Sequence, residues 1–251
     1  MNSQCQTRRP NNKNKDNVVQ QKQLLMFDFD GTLIDSVADL TAAVNVMMQQ
    51  LDREPYPIEV IKTWIGNGAS MLVKRALSGD IQVDDSLPES EIQEAERLFL
   101  AAYEALDCSQ TIAYPDVTSG LNQLHHAGFT LALVTNKPIR FVPKIINHFG
   151  WAPLFSNLIG GDSLPQKKPD AAPLLHTCQM LNFDPKNAVM IGDSINDILA
   201  GKNAGIDTIG LSYGYNYGQD IRDCNPSFAF DDFSELTAFL LQQNNKDCLT
   251  T

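Results

Sequence analysis

Two aspartates stand two residues apart where an apolar run ends, in Leu24-Leu25-Met26-Phe27-Asp28-Phe29-Asp30-Gly31-Thr32-Leu33. If the run is a buried strand, alternation puts Asp28 and Asp30 on the same side at its exit, where two carboxylates within a few ångströms repel unless a cation compensates. Later apolar runs end in comparable chemistry: Thr135-Asn136-Lys137-Pro138, Lys167-Lys168-Pro169-Asp170 and Gly192-Asp193-Ser194-Ile195-Asn196-Asp197. Each alone has a plain structural explanation: a helix cap for Asp193 or Asp197, a turn hydroxyl for Thr135, a surface amine for Lys168. All of them in order, facing one crevice, are hard to explain as caps. Carboxylates, a hydroxyl and an amine together suit a phosphoryl group held by Mg²⁺, because hard oxygen donors favour that ion. His125-His126 falls on a helical segment and reads as surface, so no zinc alternative presents itself.

The elements that must position these groups alternate between short apolar runs and helical patterns. Strands are expected at Leu24–Phe27, Phe129–Val134, Leu158–Gly160, Ala188–Ile191 and Thr208–Leu211. Helical segments between the later ones imply right-handed crossovers in a parallel sheet, whose ligands sit at the strands' carboxyl ends. From Ser36 to about Cys108 the period turns helical. Val37, Leu40, Val44, Met47 and Leu51 step by three and four, with Ser36 as expected N-cap and Asp39 as its box-like partner. Ile58–Ile65, Ala69–Leu77 and Glu91–Leu106 continue the pattern as a helical insertion after the first strand, and Phe233–Leu241 reads as a last helix.

The chain has 251 residues, 43% of them hydrophobic and 20% charged, enough for one large domain or a core with a smaller companion. A net charge of −11 argues against nucleic acid or an anionic membrane surface as general partner, since the long-range field repels both. No apolar run approaches the roughly 20 residues of a membrane span. The five cysteines are scattered without a C-x-x-C pair, which points to a reducing, cytoplasmic setting. Residues 1–23 are polar, with Arg8, Arg9, Lys13, Lys15 and Lys22 against Asp16, and are expected to form a disordered tail.

Asp28-Phe29-Asp30-Gly31-Thr32-Leu33 resembles the D-x-D-G-T-L motif of haloacid dehalogenase superfamily phosphatases, with Thr135, Lys168 and Gly192-Asp193-x-x-x-Asp197 at the family's other three motifs. Thr63-Trp64-Ile65-Gly66-Asn67-Gly68-Ala69, Val134-Thr135-Asn136-Lys137-Pro138, Gly160-Gly161-Asp162 and Tyr213-Gly214-Tyr215-Asn216-Tyr217-Gly218 are similar to bacterial phosphoglycolate phosphatases. Asp170-Ala171-Ala172-Pro173 departs from the His-Pro-Asp-Pro expected there. The resemblance implies an α/β fold: a Rossmann-like parallel core (24–35 and 109–251) with an inserted helical cap domain (36–108). It also implies a small phosphorylated organic acid as substrate. Asp28 would be the nucleophile, Asp30 the acid and base kept protonated for its first task, and Thr135 and Lys168 the phosphoryl holders. Asp28, Asp193 and the Asp30 carbonyl would bind Mg²⁺, with Asp197 orienting metal-bound water or Lys168. Gly31 and Asn136 would border the phosphate, and Gly66, Asn67 and Gly68, ahead of a helix, would meet the substrate carboxylate. A pyrophosphatase, a sugar phosphomutase or a non-enzymatic phospho-acceptor receiver remain alternatives. The second aspartate and the helical insertion speak against the last.

Overall fold

The computed structural model describes residues 22–247, with side chains to residue 244. The tail expected over residues 1–23 thus lies almost wholly outside the described residues. Lys22 and Gln23 do not belong to it: Lys22 Nζ lies 2.7 Å from Asp207 Oδ2, and the Gln23 backbone bonds to Asn187 and Thr130.

Strand β1 (Leu24–Phe27) is buried at every position and leads into the two-residue β2 (Ile34–Asp35). Helices α1 (Val37–Gln50), α2 (Ile58–Lys62), α3 (Ala69–Ser78) and α4 (Glu89–Leu106) follow, and β3 (Ile112–Ala113) closes the excursion. β2 and β3 pair antiparallel, Ile34 opposite Ala113, so the chain leaves and rejoins the sheet side by side. Then come α5 (Val117–His126), β4 (Thr130–Val134), α6 (Val142–His148) and β5 (Phe155–Ile159). The chain continues through α7 (Ala172–Leu181), β6 (Ala188–Gly192), α8 (Ile195–Ala204), β7 (Asp207–Leu211), β8 (Phe228–Phe230) and α9 (Phe233–Asp247).

Six strands form one sheet in the order β5-β4-β1-β6-β7-β8, every neighbouring pair parallel. β1 sits centrally, with chain-earlier β4 on one side and later β6 on the other. That is the switch point where such sheets open a crevice at their carboxyl ends. One face packs Phe27, Leu131 and Ile191 against α5 and α9 residues such as Leu121, Phe233 and Leu236. The other carries Met26, Ala132 and Met190 with Leu174 and Cys178 of α7. The four inserted helices bury their own cluster, including Val44, Met47, Leu72, Val73, Ala95 and Phe99. Their amphipathic stripes need an apolar partner and find it mainly in one another.

The capping box expected at Ser36 does not form. Ser36 makes no side-chain cap; its Oγ donates to Asp30 Oδ1 at 2.5 Å. Asp39 is fully buried and accepts from Thr111 Oγ1 at 2.6 Å, tying α1 to the returning chain. Both residues obey a stronger demand than capping, that of a buried partner. β8 went unexpected because three half-buried residues at a sheet edge leave no apolar run to read. Cys108, Cys178 and Cys224 are free thiols, and no described helix is long and apolar enough to cross a membrane.

Candidate active site

The parallel register lines up the strand exits. Phe27 lies opposite Leu133 on one side and Ile191 on the other, so Asp28 is level with Val134 and Gly192, the last residues of β4 and β6, and Thr135 and Asp193 follow one residue further on. The Asp28 amide still bonds to Ile191 O, and the Thr135 amide to Ile159 O, both at 2.9 Å. These side chains are therefore set by sheet backbone.

Lys168 has 1% of its surface exposed, and its Nζ lies 2.6 Å from Asp197 Oδ1 and 2.9 Å from Asp28 Oδ1. Asp197 Oδ2 is engaged by Ser194 at the first turn of α8, through the amide at 3.0 Å and the hydroxyl at 2.8 Å. Asp197 is thus both helix cap and holder of the lysine, and both its oxygens are committed. Asp193 accepts from Thr32 Oγ1 at 2.6 Å and from the Tyr215 amide at 2.8 Å. Burial, then the Asp197 charge, push Asp28 up to about 7 despite Lys168. Burial, then the charges of Asp197 and Asp28, push Asp193 up to about 8. Burial alone would lower Lys168, yet the two carboxylates outweigh it and raise the amine.

This donor set fits a hard divalent cation. Oxygens of Asp28, Asp193 and Asp197 lie within 4.8 Å of one another, and Asp28 Oδ1 is buried without a hydrogen-bond partner, Lys168 approaching it outside hydrogen-bond geometry. Asp193, like Asp197, has a hydrogen bond at each oxygen, so Asp28 Oδ1 is the buried oxygen that the three carboxylates leave without a partner. Glycines leave room for Asp193: at Gly31, with φ of +87°, a Cβ would come 2.3 Å from its Oδ2, and at Gly214 it would come 2.2 Å from the same atom.

Asp30 points elsewhere. It receives Lys137 Nζ at 2.9 and 3.2 Å on its two oxygens, together with Ser36 Oγ. Thr135 Oγ1 accepts from the Lys137 amide at 3.2 Å, which leaves its own proton free to donate. Asn136 Nδ2 bonds both Gly66 O and Lys168 O at 3.0 Å. A cavity of about 40 Å³ lies between the strand ends and the inserted helices; Asp28, Asp30, Thr135, Asn136, Gly66 and Gly68 all line it.

Asn67 does not line that cavity. Its side chain joins a polar knot between insert and sheet, accepting from Tyr217 OH at 2.7 Å and Arg75 Nη2 at 3.0 Å and donating to Asn196 Oδ1 at 3.2 Å. Sequence reasoning gave no site role to Lys137, although it stands two residues after Thr135, nor to Thr32, and read Ser36 only as a helix cap. Tyr103 on α4 was hidden because its position is one more apolar-stripe position.

The model of the family described as haloacid dehalogenase-like hydrolase matches residues 25–211, which contain every strand exit described above. The chain belongs to this family. A phosphoglycolate phosphatase of Psychrobacter arcticus is 64% identical over 88% of this chain and 96% of its own length. One from Colwellia psychrerythraea is 47% identical over 87% and 96%. The crystal structure of a predicted phosphoglycolate phosphatase from Haemophilus somnus superposes with a TM-score of 0.81 at 37% identity, covering 87% of this chain and 98% of that one. In this haloacid dehalogenase-like hydrolase, then, the acidic cluster and its lysine occupy the switch point of the sheet, and the helical insert covers them.

Proposed function

We propose that the chain hydrolyses 2-phosphoglycolate to glycolate and phosphate, with Mg²⁺ as cofactor and an aspartyl-phosphate on Asp28 as intermediate. The observation that carries the proposal is the buried Asp28, which lies beside Lys168 and lines the cavity between the strand ends and the inserted helices. The relatives named phosphoglycolate phosphatase support the substrate.

Asp28 attacks phosphorus in line, so one difficult displacement becomes two easier ones. Asp28, Asp193 and the Asp30 carbonyl would hold Mg²⁺, whose charge offsets the repulsion between carboxylates and phosphate. Lys168, fixed by Asp197, and the Thr135 hydroxyl hold the phosphoryl oxygens and offset the charge that builds on them. Asp30 gives a proton to the departing glycolate oxygen and takes one from the attacking water. Its contacts with Lys137 and Ser36 hold the carboxyl in place for both tasks. The helices of residues 36–108 act as a cap domain on the core of 24–35 and 109–251. Gly66 and Gly68 border the organic part of the substrate, and Asn67 ties cap to core.

Phosphate release measured across a panel of esters with Mg²⁺ tests this. 2-Phosphoglycolate is expected to be preferred and chelation of the cation to stop turnover. Preference for pyrophosphate, or isomerisation of a sugar phosphate, would overturn it.

A further inference from the structure

The cavity holds a feature that phosphoryl transfer does not use. Among its lining residues Lys137 is the sole cation, 4% exposed, with its ammonium 4.6 Å from the centre of the Tyr103 ring. Tyr103, on the opposite wall, is 6% exposed, and its hydroxyl is buried without a hydrogen-bond partner. A buried hydroxyl left unpaired lowers stability, and it is kept here where the surrounding wall, Leu40, Leu72, Phe99 and Phe141, is apolar.

We propose that Lys137 and Tyr103 form the receptor for the substrate's carboxylate and so select phosphate esters that carry a second anion close to the ester oxygen. The proposal rests on the phosphatase reading above.

An ammonium has three donors, and Asp30 does not exhaust those of Lys137. A carboxylate lying against this Lys137–Tyr103 pair from the cavity would take one N–H from Lys137 and the O–H of Tyr103, a charge-assisted bond beside a neutral one. Burial raises the Tyr103 phenol, which keeps it a donor. For Lys137 burial works downward, but the Asp30 charge, Tyr103 and the hydrogen bonds to them together outweigh it and the amine stays an ammonium. Spacing agrees with a short acid: the Lys137 amide bonds to Thr135 Oγ1, so the carboxylate receptor begins two residues from the phosphoryl site. The amino end of α3 borders the same space through Gly68 and Ala69 but brings no charged side chain to it.

The test is the ratio of kcat/KM for 2-phosphoglycolate to that for ethyl phosphate, which lacks the carboxylate. It is measured in the wild-type chain, Tyr103→Phe and Lys137→Met. The ratio is expected to fall about tenfold in Tyr103→Phe and about a hundredfold in Lys137→Met. Because Lys137→Met also strips Asp30 of its partner and could impair folding, Tyr103→Phe carries the test by itself. It removes only an unpaired hydroxyl, and its melting temperature should not fall. An unchanged ratio in folded Tyr103→Phe overturns the receptor while leaving phosphoglycolate hydrolysis intact. A wild-type chain that releases no phosphate from 2-phosphoglycolate overturns both readings.

Discussion

The floor of the cavity and its helical wall are built on opposite principles. Asp28, Lys168, Asp193 and Asp197 at the floor are buried and hold one another, with Asp28 and Asp193 at strand exits, Asp197 in the first turn of α8 and Lys168 in the connection between β5 and α7. The wall is apolar packing from helices with their own hydrophobic cluster, joined to the sheet by the β2–β3 ribbon and the knot around Asn67. Fixed charges need an immobile frame, because a buried ion with a displaced partner is costly. A packed wall tolerates substitution of its lining. On the proposed function, substitutions on the two sides should therefore fail in different ways.

The largest contrast is expected at Asp28. Asp28→Asn, near-isosteric but without an anionic nucleophile, should slow turnover by about 10⁴-fold or more with an unchanged circular dichroism spectrum. Retained turnover would break the distinction between floor and wall. Lys168→Met should affect folding as well, since Asp28 and Asp197 lose their shared counter-charge. Urea unfolding is expected to show a loss of about 3 to 5 kcal/mol, against about 1 kcal/mol for an ordinary surface lysine.

The metal-free protein adds a pH test of the floor. Asp28 and Asp193 titrate near 7 and 8 in the folded chain, above the ordinary carboxylate value, so their contribution to stability is full below about pH 4 and is lost as pH rises through that range. The melting temperature of chelator-treated enzyme should fall between about pH 5.5 and 8.5, and saturating Mg²⁺ should raise it more at the higher pH. A gain independent of pH would show that the two carboxylates do not meet the cation. The smallest effect belongs to the seam: Asn67→Ala removes two side-chain hydrogen bonds between wall and core, to Tyr217 and Asn196, and one to Arg75 within the wall, and should raise KM by roughly 3- to 10-fold. Turnover slowed about a hundredfold at saturating substrate would mean that the seam also positions the floor.

Much of the floor is readable from sequence because its signals are local. A buried strand must end, and Asp28, Thr135 and Asp193 stand where β1, β4 and β6 do. The insert is readable because helices that bury one face show it every three or four residues, as Val37 to Met47 do in α1. What escapes is decided by contacts between distant segments. Ser36 has the sequence position of a cap, yet Asp30 takes its hydroxyl. The Lys137–Asp30 pair joins residues 107 positions apart. Tyr103 satisfies the helical period as a hydrophobe, and only the fold shows its hydroxyl unpaired beside an ammonium.

Covalent catalysis at Asp28 is tested most directly by trapping the intermediate. The chain is mixed with 2-phosphoglycolate radiolabelled in its phosphoryl group, quenched with acid within a single turnover, and mapped by peptide. Label is expected on the peptide that carries Asp28, labile to hydroxylamine as an acyl phosphate is, decaying as inorganic phosphate appears and absent from Asp28→Asn. Label on a different residue, or a first turnover by Asp28→Asn at the wild-type rate, would contradict it.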